Sequence, residues 1–109
     1  MLIDFPASNA VEATAAYAAS LVRGADFAGA EEVLDEVPPA HRVPIVDFVR
    51  AFLHFATQRW PDVLTSLTRS DRWNDPYMQA TADYMGGSAC VQLGMFAEGA
   101  RRLPGRGAA

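Results

Sequence analysis

The chain has 109 residues, half of them hydrophobic, with a single cysteine and a net charge of −4. That is enough for one domain with a modest core, too acidic to favour nucleic acid, and short of the cysteine pair that an internal disulfide needs. No stretch approaches the ~20 consecutive apolar residues of a membrane span, and the opening Met1-Leu2-Ile3-Asp4-Phe5-Pro6 has neither the charged start nor the apolar run of a signal peptide.

Six helices are expected, in chain order. An N-terminal extension over residues 1–8 precedes an Ala-rich helix over 9–23, opened by Asn9 with Glu12 three residues on, a capping-box-like pair. Gly24 and Ala25 make a turn, Asp26 caps a second helix over 27–37, and Pro38-Pro39 stop it. Pro44 suits the first turn of a third helix over 44–57, with Ile45, Phe48, Phe52 and Phe55 along one side. Pro61 does the same for a fourth helix that ends at 69. Asp75-Pro76, a cap and a first-turn proline, open a fifth over 76–93. Gly94 turns the chain into a sixth over 96–103, Pro104-Gly105 end it, and 104–109 are expected to be a disordered tail. No alternating run is long enough for a strand.

One pattern occurs three times across these helices: an aromatic, a small residue three positions on, and a Leu four further on. The copies are Phe27–Ala30–Leu34, Trp60–Val63–Leu67 and Phe96–Gly99–Leu103. Nine residues before each aromatic stands another small residue, Ala18, Ala51 or Gly87. Small side chains on both helices of a hairpin let the backbones approach. The aromatic is then expected to fill the gap between hairpins, and the Leu to extend the seam. A period near 34 with these contents resembles the tetratricopeptide (TPR) repeat. The expected fold is all-α: three antiparallel hairpins (9–37, 44–69, 76–103) stacked as a TPR-like solenoid. A plain bundle with coincidental spacing is the rival. Only Gly94 supplies the glycine that TPR hairpins usually place two residues before the aromatic.

Residues that carry chemistry elsewhere have plainer readings here. Cys90 occupies the repeat position of Leu21 and His54, six before the aromatic, and reads as a small buried hydrophobe. His41 falls in a loop and His54 on an apolar helix. Two His and one Cys, far apart, make no zinc pattern. Asp26, Asp62 and Asp75 each stand near a helix start, where capping or the helix dipole accounts for them. Gly86-Gly87 lies inside a helix and reads as a close helix approach. No catalytic, cofactor-binding or metal residue is assigned. The acidic cluster Glu31, Glu32, Asp35 and Glu36 reads as a solvated face, with a docking patch for a basic partner as the sharper alternative.

The TPR likeness implies a groove lined by the first helix of each hairpin. Its positions would be Glu12, Ala15, Ala19, Val22 and Arg23, then Ile45, Phe48, Phe52, Phe55 and Ala56, then Thr81, Tyr84, Ser88, Val91 and Gln92. Phe48 and Tyr84 share one repeat position and would make an aromatic strip. Arg23, Phe48, Phe52 and Tyr84 are the expected partner contacts. Burial of the three phenylalanines by a neighbouring hairpin, a bound terminus or a second copy is the competing reading.

Gln58-Arg59-Trp60-Pro61-Asp62-Val63, Arg72-Trp73-Asn74-Asp75, and Leu93-Gly94-Met95-Phe96-Ala97-Glu98 with Arg101-Arg102-Leu103 carry a narrower resemblance. Together they resemble the N-terminal helical-repeat domain of the EccA family, the cytosolic AAA+ ATPases of type VII (ESX) secretion in mycobacteria and related actinobacteria. The resemblance covers most of residues 3–103. It implies a cytoplasmic protein-interaction scaffold that engages secreted substrates, such as a substrate tail, or regulates the ATPase ring. The ATPase itself does not carry over: a chain without lysine has no G-x-x-x-x-G-K-[ST] loop. No nucleic acid, membrane insertion or cofactor is expected, and uncapped repeat ends leave homo-oligomerisation open. A free-standing TPR-like adaptor with an unrelated protein partner is the alternative.

Overall fold

The structure, a computed structural model, describes residues 7–38, 44–68 and 75–103. Six helices follow in order: α1 (Ala7–Arg23), α2 (Phe27–Asp35), α3 (Pro44–Ala56), α4 (Trp60–Leu67), α5 (Pro76–Gln92) and α6 (Phe96–Arg102). There is no strand among the described residues.

Each hairpin closes by the same device. At the end of α1, the Ala25 N–H donates to Val22 O (2.9 Å) and the Asp26 N–H to Leu21 O (2.8 Å). After α3, Gln58 donates to Phe55 O and Arg59 to His54 O; after α5, Gly94 donates to Val91 O and Met95 to Cys90 O. This is the Schellman pairing, which satisfies carbonyls that a helix end leaves open. It requires a left-handed residue, and Ala25 (φ 66°), Gln58 (φ 62°) and Gly94 (φ 81°) adopt that conformation. Two hairpins without the expected glycine therefore turn as the third does, with an L side chain in a region that costs about 1–2 kcal/mol.

The next helix starts at once. The Asp26 side chain accepts from the Gly29 N–H at 3.0 Å, and Asp75 accepts from the Tyr77 N–H at 2.9 Å. Both are N-caps, as the sequence leads one to expect. Arg59 and Met95 hold the cap position of α4 and α6 without a side-chain bond. Asp62 lies in the first turn of α4, where the helix dipole favours a carboxylate.

Some boundaries differ from the sequence reading. α1 begins at Ala7, so Asn9 is a helix residue and not its cap; alanine propagates a helix better than any other residue. α2 stops at Asp35, with Glu36 as its C-cap and the Val37 N–H closing onto Leu34 O. α3, α5 and α6 each end one residue earlier than expected. His41, Trp73, the end of α4 at 69, most of the 1–8 extension and the tail at 104–109 lie outside the described residues.

α1 pairs with α2, α3 with α4, and α5 with α6. The first helices form a row: α3 packs broadly on α1 and narrowly on α5, while α5 leans mainly on α4. The backbones of α2, α4 and α6 do not approach one another closely among the described residues. The row of first helices corresponds to the inner row expected of a TPR-like array.

Two apolar clusters hold the stack. One joins the first two hairpins through Ala18, Ala30, Leu34, Val46, Val49 and Leu53; the other joins the second and third through Ala51, Val63, Leu67, Ala82, Met85 and Ala89. Phe27 packs on the first cluster and Trp60 on the second. Phe96 does not follow them. It is 66 % exposed, because no described helix beyond α6 covers it. Within the third hairpin the approach of α5 and α6 is very close. A Cβ at Gly99 would stand 2.8 Å from Val91 Cγ2 and 3.0 Å from Gly87 O; one at Gly87 would meet Leu103 Cγ at 2.7 Å.

Candidate functional site

The inner row of α1, α3 and α5 is the face on which side chains from all three hairpins converge. Its character changes along the array. In the first hairpin Ala15 and Val22 are 0 % and 4 % exposed. The expectation that they line a groove is therefore corrected: they are core residues in the cluster that joins α1 to α3. In the second hairpin Ile45, Phe48, Phe52 and Phe55 are half-buried. In the third, Tyr84 is 54 % exposed and Val91 36 %. The gradient has a packing cause. α3 lies broadly against α1, while α5 meets α3 only narrowly, so the surface opens between α3 and α5.

In that opening the aromatic rings meet. Phe55 stands edge-on to Tyr84, with centroids 5.9 Å apart at 62°, and edge-on to Trp60 at 5.7 Å and 72°. Such geometry sets a ring's positive edge against its neighbour's negative face. Phe48 and Phe52 pack on both apolar clusters and so bridge the seam between hairpins. Arg23, in the last turn of α1, is exposed. Phe55 thus links Tyr84 to the second hairpin. Its place in the groove was legible from repeat position, its pivotal contact was not.

Within α5, Gln79 donates to Asp83 at 3.0 Å, one helical turn along. The charged contacts lie elsewhere and clamp hairpin to hairpin. Arg50 donates to Leu34 O (2.9 Å) and to Asp35 (3.2 Å), and Arg59 to Glu31 at 3.4 Å. Half of the acidic cluster on α2 is therefore spent on the second hairpin, and Glu32 and Glu36 remain exposed. On α6, Arg101 and Arg102 both bond Glu98, and these hydrogen bonds hold its carboxyl below the usual carboxylate range.

The groups with reactive potential are structural. Cys90 is fully buried, and burial pushes its thiol up, away from the thiolate a nucleophile needs. Burial lowers His54 below the ordinary histidine value, opposed by Asp62 and Glu31 and reinforced by Arg59 and Arg50. His54 Nδ1 is buried without a hydrogen-bond partner among the described residues. Among the described residues, no three His, Cys, Asp or Glu side chains come together as a metal site. No helix among them is long and apolar enough to cross a membrane. What the face offers is apolar and aromatic surface.

Comparison with known proteins bears out the resemblance to the EccA family. Residues 1–108 match the family described as the N-terminal domain of the type VII secretion protein EccA1 of ESX-1. The ESX-5 secretion system protein EccA5 of Mycobacterium tuberculosis is 38 % identical over 89 residues, covering 80 % of this chain and 15 % of that protein. The ESX-1 secretion system protein EccA1 of Mycolicibacterium smegmatis is 32 % identical over 101 residues, 93 % of this chain and 18 % of that protein. EccA1 of Mycobacterium tuberculosis is 29 % identical over the same length. The chain thus spans less than a fifth of the length of these relatives.

Proposed function

The chain belongs to the EccA1 N-terminal-domain family of type VII secretion, and from that membership we propose that it is a protein-interaction scaffold, its inner face receiving a segment of a protein handled by that secretion system. The observation that carries this reading is the aromatic opening between α3 and α5. Tyr84, 54 % exposed, is held edge-on to Phe55, and Phe48 and Phe52 of the same helix as Phe55 pack on the two apolar clusters. Pre-positioned aromatics suit an apolar side chain from a helical or extended peptide. In this reading the partner is the tail of a secreted substrate, and Arg23 and Tyr84 contact it directly. The work is done in the cytoplasm, on the side from which substrates are loaded. The ATPase activity that EccA proteins are expected to carry lies outside this stretch of sequence, which contains no phosphate-binding loop.

The test is titration of labelled tail peptides of type VII substrates into the protein, read by fluorescence polarisation. Tyr84→Ala is expected to weaken binding roughly tenfold or more, as loss of a central aromatic anchor does. Arg101→Ala, outside the inner row, should leave affinity unchanged. Equal affinity for wild type and Tyr84→Ala, with helicity unchanged, would sink the reading. Failure of every substrate tail, alongside Tyr84-dependent capture of a different protein, would point to an adaptor with an unrelated partner.

A further inference from the structure

His54, in the last turn of α3, stands on the fastening between the first and second hairpins. The charged groups that act on it are Asp62 and Arg59 at the start of α4, Glu31 on α2, and Arg50 one turn back on α3. None of them belongs to α1, α5 or α6. The two arginines are the clamps of this seam: Arg50 donates to Leu34 O at 2.9 Å and to Asp35 at 3.2 Å, and Arg59 reaches Glu31 at 3.4 Å. The clamps are unequal. The Arg50 side chain is 13 % exposed, while Arg59 and Glu31 are 41 % and 45 % exposed.

The His54 ring is half-buried, and its Nδ1 edge is enclosed without a hydrogen-bond partner among the described residues. Arg50 Nε, on the next turn of the same helix, is buried in the same condition. A neutral imidazole tolerates this, because it can carry its hydrogen on Nε2 and leave Nδ1 a bare lone pair. An imidazolium cannot, since both nitrogens then bear hydrogens. Its Nδ1–H would be a buried charged donor without an acceptor, one turn from a guanidinium N–H that needs one too. Burial therefore weighs most against the charged ring; Asp62 and Glu31 oppose it, Arg59 and Arg50 reinforce it, and the pKa lies below the ordinary histidine value.

We propose that His54 is a proton-operated latch on the seam between the first two hairpins. Neutral, the ring stays seated and both arginine clamps hold. Protonated, it swings outward so that Nδ1–H reaches water, and it competes as a further cation with Arg59 for Glu31, the weaker clamp. α2 then loosens from the second hairpin. Hairpins in an array are joined only to their neighbours, so one seam can open while the next stays shut. The second seam has no such latch: α5 and α6 contain no histidine, and their side of it is held by Ala82, Met85 and Ala89 against Val63 and Leu67.

Backbone hydrogen exchange on the whole chain, read by NMR and corrected for intrinsic rates, tests this at about pH 7.5 and about pH 5.5. Protection of the α2 amides should fall at the lower pH by up to about tenfold, the largest effect open to one histidine of ordinary unfolded pKa. Protection in α5 and α6 should hold. His54→Gln should abolish the pH response, and His41→Gln, at the chain's other histidine, should keep it. If His54→Gln does not fold, NMR titration of the His54 ring in the wild type takes its place, and ring protonation should run in step with the loss at α2. The proposal is overturned by unchanged protection at α2, by an equal loss along the whole array, or by a response that survives in His54→Gln or vanishes in His41→Gln. A ring that titrates with no change at α2 overturns it as well.

Discussion

Replacing Ala25 or Gln58 with glycine should stabilise the protein. Both residues hold left-handed conformations, at φ 66° and 62°, to close the turns after α1 and α3. An L residue there costs about 1–2 kcal/mol, while glycine gives back about 0.4–1 kcal/mol through the greater freedom of the unfolded chain. The balance is about 0.5–1 kcal/mol of stabilisation per site. Both side chains are exposed, so no packing is lost. For a domain of this size that raises the midpoint by about 2–5 °C per substitution, and sites in separate turns should add. Gly94→Ala is the mirror control. A Cβ at Gly94 meets nothing within 4 Å, so its penalty is conformational alone. It should lower the midpoint by a similar amount. Calorimetry on the two single variants, the double variant and Gly94→Ala closes the comparison. If Ala25→Gly and Gln58→Gly both lower the midpoint while Gly94→Ala is neutral, the three turns are not equivalent and the reasoning fails.

The remaining predictions concern the seams between helices. Gly99→Ala should destabilise by about 1–3 kcal/mol, because its Cβ would press on backbone, Gly87 O at 3.0 Å, as well as on Val91. Gly86→Ala should cost less, since the nearest atom is the flexible tip of Arg102; chemical denaturation separates the two. Arg50→Ala should cost about 1–3 kcal/mol, the loss of a charged hydrogen bond to Leu34 O from a side chain only 13 % exposed. Asp35→Ala, at 61 % exposed, should cost less than about 0.5 kcal/mol. For His54, burial lowers the folded pKa below the unfolded value, so the unfolded chain binds the proton more readily. Stability is full above the ordinary histidine range and declines as pH falls through and below it. His54→Gln should flatten that decline in thermal melts between about pH 7 and pH 5.5; an unchanged slope would refute the assignment.

Much of the architecture is written locally. Asp26 and Asp75 announce helix starts because a short carboxylate reaches the first free N–H groups. Pro44, Pro61 and Pro76 mark first turns because they give up no hydrogen bond there. The small residues nine before each aromatic and the small residue three after it read as close approaches, and Gly87 and Gly99 are exactly such a pair in space, their helices nearly touching. The turns were less legible. Ala25 and Gln58 lack any left-handed preference and are held there by the helices they join.

The row of candidate contacts divides in the same way. Periodicity within each helix determined that Ala15, Phe48 and Tyr84 share a position, since a repeat needs only neighbours three or four residues apart to declare its faces. It could not determine that the first is buried, the second half-buried and the third exposed. That outcome depends on how closely each first helix lies against the next: α3 broadly against α1, α5 only narrowly against α3. Helix spacing is set by side chains far apart in sequence, such as Phe55 and Tyr84, meeting across the seams, so burial along the groove, its aromatic opening and the exposure of Phe96 were decided by the tertiary structure alone.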